Sequence, residues 1–227
     1  RHPGLQYSAL SREISATTSL NELVGLFNRH IKQIRRLGIS AEPLVDSVRH
    51  MSQQLWQQFS LEEKRKFLAR IRHLWGVARH RIPLHLHDKL QQLRIDGQLT
   101  TLAGRITDIN PTDEHLLVRF WDVRAGQSKT LEVSRIINCT GPQTDIDKME
   151  QGVLKNAQTK GLITQDDLKL GIEACPTTLN VLDSEGQPVP DLFTLGNNLK
   201  GLFWESTAVN ELRSQAKNLA QHLLRVM

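Results

Sequence analysis

The stretch on which the expected fold depends is residues 192–209, which read LFTLGNNLKGLFWESTAV. It begins as a short apolar strand, stops at Gly196 and leads through Ser206 or Thr207 into a terminal helix. In open α/β sheets ligands lie beyond the carboxyl ends of strands, where a glycine lets the backbone approach a flat cofactor closely. A helix N-terminus adds free N–H groups and positive partial charge. The stretch therefore predicts a cofactor contact, and the alternative is an ordinary turn and helix cap with Trp204 as packing.

A second segment with the same form is RIINCTGP, residues 135–142. Its adjacent isoleucines break strand alternation, as a strand covered on both faces would. Cys139 is then expected to be a small buried hydrophobe. We expect the chain reversals at Gly141 and Gly196 to meet and to form the floor of a slot for a planar redox ring.

Two patterns of apolar residues organise the rest of the chain. Steps of three and four predict amphipathic helices from Ser19 to Gly38, after Pro43, from Ser60 and from Pro83 to about residue 95. From Leu99 the pattern alternates, with turns that predict a β-meander of three strands. The fold class is therefore α/β, with a helical block over 1–97 followed by the meander and a mixed tail over 98–227.

Composition excludes several classes of protein. Apolar residues make up 39% of the 227, and 29 basic residues against 24 acidic ones leave a net charge of +5. A collagen-like or wholly disordered chain is therefore excluded. No stretch approaches the ~20 apolar residues of a membrane span. With only Cys139 and Cys175 and no zinc spacing, a reducing cytoplasm is expected.

Several motifs in order resemble those of bacterial FAD/NAD(P)-binding proteins, a group of flavin-dependent oxidoreductases of poorly defined substrate. The resemblance covers most of the chain and is carried by Trp75, Arg79-His80-Arg81, Pro83, Gly104-Arg105-Ile106, Ile137 to Pro142, Asp145, Gly161-Leu162-Ile163, Asp167-Leu168, Leu170-Gly171, Leu192 to Gly196 and Phe203 to Val209.

The resemblance implies that 98–227 holds the C-terminal part of a Rossmann-like, FAD-binding domain, and that 1–97 is a substrate or cap region. FAD is the implied cofactor, and NAD(P)H is a second candidate. Thr140 and Gly141 would close the FAD domain, while Gly196 and Asn197 would approach the ribityl and phosphate groups. Many relatives carry an acidic residue at the latter turn, whereas Asn197 is uncharged.

The glycine-rich fingerprint GxGxxG, which holds the pyrophosphate of FAD at a helix N-terminus, occurs nowhere in the chain. The chain is therefore expected to be the C-terminal half of a longer flavoprotein. Alone, it is expected to bind FAD weakly or not at all and to be inactive.

The candidate site residues follow from the strand ends, the last helix and the densest group of cations. No catalytic residue is assigned. Glu205 is a candidate either for a general acid or base or for a charge that complements the helix dipole. No metal is expected, because His85 and His87 would face different directions on a helix. The candidates for substrate binding are Arg79, His80 and Arg81, and those for cofactor binding are Thr140, Gly141, Pro142, Gly196, Asn197, Glu205, Ser206 and Thr207.

An alternative is a basic helical module that binds nucleic acid or an acidic protein. Its basis is two groups of cations, near residues 29–36 and 64–72. Acidic residues interrupt the second group, and aromatic residues for base stacking make up only 5%, so this alternative ranks below the flavoprotein. A homo-oligomer is a further alternative, and no membrane association is expected.

Overall fold

The computed structural model describes residues 7–15 and 17–226. These fold into two compact units, one that runs to Arg81 and resumes at Gln143, and one that comprises Ile82–Pro142. The boundaries differ from the division into 1–97 and 98–227. The helix over Leu84–Ile95 has no buried residue, so it adds nothing to the core of the helical block.

The first part of the larger unit is helical, as predicted. Its helices are α1 (Ala9–Glu13), α2 (Leu20–Arg35), α3 (Glu42–Val48), α4 (Ser52–Gln58), α5 (Leu61–Arg70) and α6 (Arg72–Arg79), with a 3₁₀ turn at Arg49–Met51. The pattern after Pro43 predicts one helix where the structure has two, and the helix predicted from Ser60 is interrupted at Ile71.

Two capping boxes set where α2 and α5 begin. The side chains of Ser19 and Ser60 accept from the backbone N–H groups of Glu22 and Glu63, and each glutamate reaches back to the N–H of its serine. Glu63 also accepts from the Leu20 N–H through Oε1 at 2.8 Å. These backbone bonds lower the pKa of Glu63, and they join the N-termini of two helices far apart in sequence.

The part of the larger unit after Gln143 contains short elements. These are a 3₁₀ turn at Ile146–Lys148, α8 (Val153–Thr159), β4 (Asn180–Leu182), β5 (Pro188–Phe193), a 3₁₀ turn at Gly196–Leu199 and α9 (Val209–Val226). β4 and β5 pair antiparallel, and the Rossmann-like parallel sheet is not shown. Since α9 begins at Val209, its predicted opening at Ser206 or Thr207 is two to three residues early.

One aromatic core joins the two parts of the larger unit. Trp204, from the segment before α9, stacks at 5.0 Å on Trp56 of α4 and lies 5.2 Å edge-on from Phe67 of α5. The Trp56 Nε1 donates to the Gly201 carbonyl at 2.7 Å, in a fully buried bond. Residues 201–204 are therefore held against the helices.

The smaller unit holds α7 (Leu84–Ile95) and the predicted meander, formed by β1 (Gly104–Pro111), β2 (Leu116–Asp122) and β3 (Gln127–Val133). The strand predicted over 135–139 is wrong, because these residues have no strand pairing and are exposed. Cys139 is exposed too, so its expected burial is also wrong.

Among the described residues, no helix has both the length and the apolar character required to cross a membrane.

Candidate functional site

Glu205 is the centre of a buried polar cluster whose members come from segments far apart in the sequence. Its Oε1 accepts from the Trp75 Nε1 at 2.8 Å and lies 3.2 Å from the Arg79 Nε. Its Oε2 lies 3.4 Å from the Arg79 Nε and 3.3 Å from the Ser52 Oγ, whose single proton is shared with the Arg49 carbonyl at 2.9 Å. The side chains of Glu205 and Arg79 are only 8% and 12% exposed, so water does little to screen this pair.

The backbone at Glu205 is in the left-handed region, with φ of +64°. A side chain in that region costs about 1–3 kcal/mol and persists only where its surroundings hold it. The bonds to Trp75, Arg79 and Ser52 are those surroundings. The carboxylate is therefore a clamp that ties the turn before α9 to α4 and α6.

An apolar cavity of about 230 Å³ lies within the helical part of the larger unit. Most of its wall is aliphatic or aromatic. Trp75 and Ser52 also line it, so two residues of its wall contact Glu205. The aromatic residues of the wall are Phe27, Trp56, Phe59, Phe67, Trp75 and Trp204.

Two buried polar atoms next to this cluster have no hydrogen-bond partner among the described residues. They are the Trp204 Nε1 and the Ser206 Oγ, which flank Glu205 in sequence. Trp204 is 8% exposed and Ser206 is fully buried. Native proteins leave few such atoms unpaired, so the segment 204–206 combines a strained backbone with unsatisfied donors.

A carboxylate beneath the same segment explains why the chain has glycine at position 201. Asp166 is buried and accepts from the backbone N–H groups of Leu168 and Leu170 at 2.8 and 2.9 Å. A Cβ on Gly201 would overlap the Asp166 carboxylate. Burial raises the pKa of Asp166, as it does that of nearby Glu173, and it lowers the pKa of Lys64.

The predicted substrate cations have separate partners. Arg79 joins Glu205, whereas Arg81 grips Asp46 with two bonds of 2.9 and 3.0 Å. His80 is exposed and lies 3.1 Å from the Gly76 carbonyl through its Nδ1. Of the three, Arg79 alone is brought to a predicted cofactor residue.

The predicted cofactor residues divide between the two units. Thr140, Gly141 and Pro142 form an exposed loop of the smaller unit, and Gly141 has φ of +92° with open space where a Cβ would lie. Asn197 and Thr207 are exposed in the larger unit. Because Gly141 and Gly196 lie in different units, their meeting in space stays a prediction.

Gly196 is buried, with φ of +78°. Its N–H donates to the Gln215 Oε1 at 2.8 Å, and the place of a Cβ is taken by the Leu212 side chain of α9. The glycine therefore serves the packing of α9, and its N–H group has a protein partner.

Sequence reasoning missed Ser52, the role of Trp75 and the cavity. The residues of the cavity wall belong to the same apolar stripes that predict α2, α4 and α5, so periodicity gives no means of telling a wall from a filled core. Ser52 carries no motif. Only the fold brings it to Glu205, which lies 153 residues later.

Comparison of the chain with protein-family models, with curated proteins and with solved structures finds no match. Within residues 7–15 and 17–226, no group of three or more histidine, cysteine, aspartate or glutamate side chains is arranged to hold a metal ion.

Proposed function

We propose that this chain is the C-terminal part of an FAD/NAD(P)-dependent oxidoreductase. The observation that carries the proposal is the contact of Glu205 with Trp75 and Arg79. The two ends of the motif set that resembles flavoproteins are in contact, since Trp75 and Glu205 are 130 residues apart in sequence, and Trp75 also lines the apolar cavity. An arrangement of that kind is expected where a substrate block adjoins a cofactor segment.

In this proposal the cavity holds the apolar body of a substrate and keeps water from it. The Glu205 carboxylate has both oxygens engaged, so its role is to hold the turn at 204–207 in place. FAD, when bound, would accept a hydride, and NAD(P)H is the candidate for the nicotinamide partner. In the larger unit the residues proposed to contact FAD are Asn197 and Thr207, and in the smaller unit the candidates are Thr140 and Gly141, each considered by itself.

Alone, the chain is expected to bind FAD weakly or not at all. Backbone N–H groups of a glycine-rich turn supply much of the affinity for a pyrophosphate, and the chain has no GxGxxG. The loop at Gly141 is exposed, and the Gly196 N–H is bonded to Gln215. The contacts that remain without a glycine-rich turn would supply only part of the free energy of FAD binding.

The test compares the 227-residue chain with a protein extended by the coding sequence upstream of Arg1. The proposal expects a glycine-rich strand-turn-helix unit in that extension. It also expects flavin that copurifies with the extended protein, and little quenching of FAD fluorescence by the chain alone. An extended protein that lacks such a unit and purifies without flavin would overturn the proposal.

A matched pair of variants tests the loop at Gly141. Gly141 and Gly126 both have positive φ in exposed turns of the smaller unit, with open space around them. Gly126→Ala carries a backbone cost of about 1 kcal/mol, and Gly141→Ala, whose φ of +92° lies outside the αL region, carries a larger one, so the circular dichroism melt of each variant accompanies the titration. In the extended protein, Gly141→Ala should weaken FAD binding and Gly126→Ala should not. Equal affinities for the two variants would remove Gly141 from the proposed site.

The basic-module alternative stays a prediction. One cation of each group already has a partner among the described residues. Arg29 pairs with Glu13 at 3.4 Å, and the Lys64 Nζ lies over the Trp56 ring. Neither contact favours nucleic acid.

A further inference from the structure

The apolar cavity of the larger unit has the size, polarity and opening of a ligand site. We infer that it binds a small, neutral and largely apolar molecule of about ten non-hydrogen atoms. The identification of this molecule as a substrate rests on the proposed function. Binding itself requires neither FAD nor a second domain.

The size of the ligand follows from the volume. An engineered cavity of about 150 Å³ accepts benzene, with six carbons. By proportion, 230 Å³ holds about nine or ten carbon-sized atoms. Leu74 lines the cavity while 63% of its surface is exposed. The cavity is partly open to solvent, so a ligand has a route of entry.

The charge of the ligand follows from the wall and from what lies behind it. Asn28 and Ser52 are the two lining residues that are neither aliphatic nor aromatic. An ion that leaves water for such a wall loses its hydration without a partner. The Arg79 guanidinium is already paired with Glu205, and the Glu205 carboxylate behind Trp75 and Ser52 disfavours an anion. A neutral ligand fits these surroundings best.

The Trp204 ring adds to the apolar wall. The residue lines the cavity, but its Nε1 is buried, so the ring offers a ligand no accessible donor. Packing against Trp56 and Phe67 holds the ring in place.

The experiment uses the 227-residue chain and three probes of similar size: butylbenzene, butyrophenone and 4-phenylbutyrate. Binding is measured by titration calorimetry and by tryptophan fluorescence, because Trp56, Trp75 and Trp204 all line the cavity. Butylbenzene and butyrophenone, which are both neutral, should bind, because the wall is apolar. Phenylbutyrate should bind weakest.

Variants on α6 assign the binding to this cavity. Ala78 lines it, whereas neighbouring Val77 does not and is 80% exposed. Ala78→Leu should weaken both neutral probes about tenfold or more by filling space, and Val77→Leu should leave them unchanged.

Absence of binding by both neutral probes, tightest binding of phenylbutyrate, or equal effects of the two α6 substitutions would each overturn the inference. The circular dichroism melt of each variant accompanies the titration, and the wild-type probe series decides the outcome if a variant does not fold. A chain that binds the neutral probes while its extended form takes no flavin would keep the inference and overturn the proposed function. A chain that binds neither neutral probe while its extended form takes up flavin would overturn the inference and keep the proposed function.

Discussion

Removal of the charge on Glu205 tests how the segment before α9 is held. Glu205→Gln keeps the length of the side chain and an acceptor for the Trp75 Nε1, but it leaves the Arg79 guanidinium without its counter-charge. Arg79 is 12% exposed, so water recovers little of the lost interaction. The substitution isolates the ion pair from the other bonds of the clamp.

The magnitude follows from burial. Breaking a buried ion pair by removing one partner costs about 3–5 kcal/mol, because the other charge stays buried and unpaired. We expect the lower end, about 3 kcal/mol, since the bond from Trp75 persists. For a chain of this size, that loss lowers Tm by about 6–12 °C. Arg79→Met should cost a similar amount, and the double variant should cost clearly less than the sum.

The assay is urea and thermal unfolding followed by tryptophan fluorescence. Three of the four tryptophans, Trp56, Trp75 and Trp204, belong to the larger unit, and Trp121 belongs to the smaller one. Circular dichroism follows both units, so a separate transition of the smaller unit is recognised and fitted by itself.

The matched control is Arg81→Met, two residues from Arg79 on the chain. Arg81 also bonds a carboxylate at 2.9 Å, but its side chain is 31% exposed and that of Asp46 is 53% exposed. An exposed pair contributes about 1 kcal/mol or less. If Glu205→Gln costs no more than Arg81→Met, or if the double variant is simply additive, the argument from burial is refuted.

Two further predictions concern a glycine and a thiol. Gly171→Ala should destabilise the chain by about 3 kcal/mol or more, because a Cβ there would overlap the Asn198 backbone. Gly25→Ala lies on an exposed and open face of α2 and should stabilise the chain by about 0.5–1 kcal/mol in the same urea titration. Similar effects of the two substitutions would contradict this account. Hydrogen bonds from Thr177 and Thr178 lower the pKa of the Cys175 thiol to about 7. The rate of its alkylation by iodoacetamide, measured by peptide mass spectrometry, should therefore rise through pH 7 as the thiolate forms. Thr177→Val should move the midpoint of this pH dependence upward, and an unmoved midpoint would show that the threonine is not responsible.

Local features of the chain were predictable because neighbouring residues decide them. Ser19 with Glu22 and Ser60 with Glu63 form the capping boxes that start α2 and α5. Alternation from Leu99 onward predicts the meander of β1, β2 and β3. The strand over 135–139 failed for the same kind of reason, because an apolar run forms a strand only where another strand pairs with it, and none does here among the described residues.

Apolar spacing was enough to predict most of the helical segments of the larger unit and the meander of the smaller one, and the resemblance made Arg79 and Glu205 candidates. That these two side chains form one buried pair, that Trp75 and Ser52 contact it, and that apolar side chains of several helices enclose a cavity follows only from how the chain packs. Periodicity reports which face of a helix is apolar and not whether the space before that face is filled. Contacts between residues more than a hundred positions apart depend on how the whole chain packs.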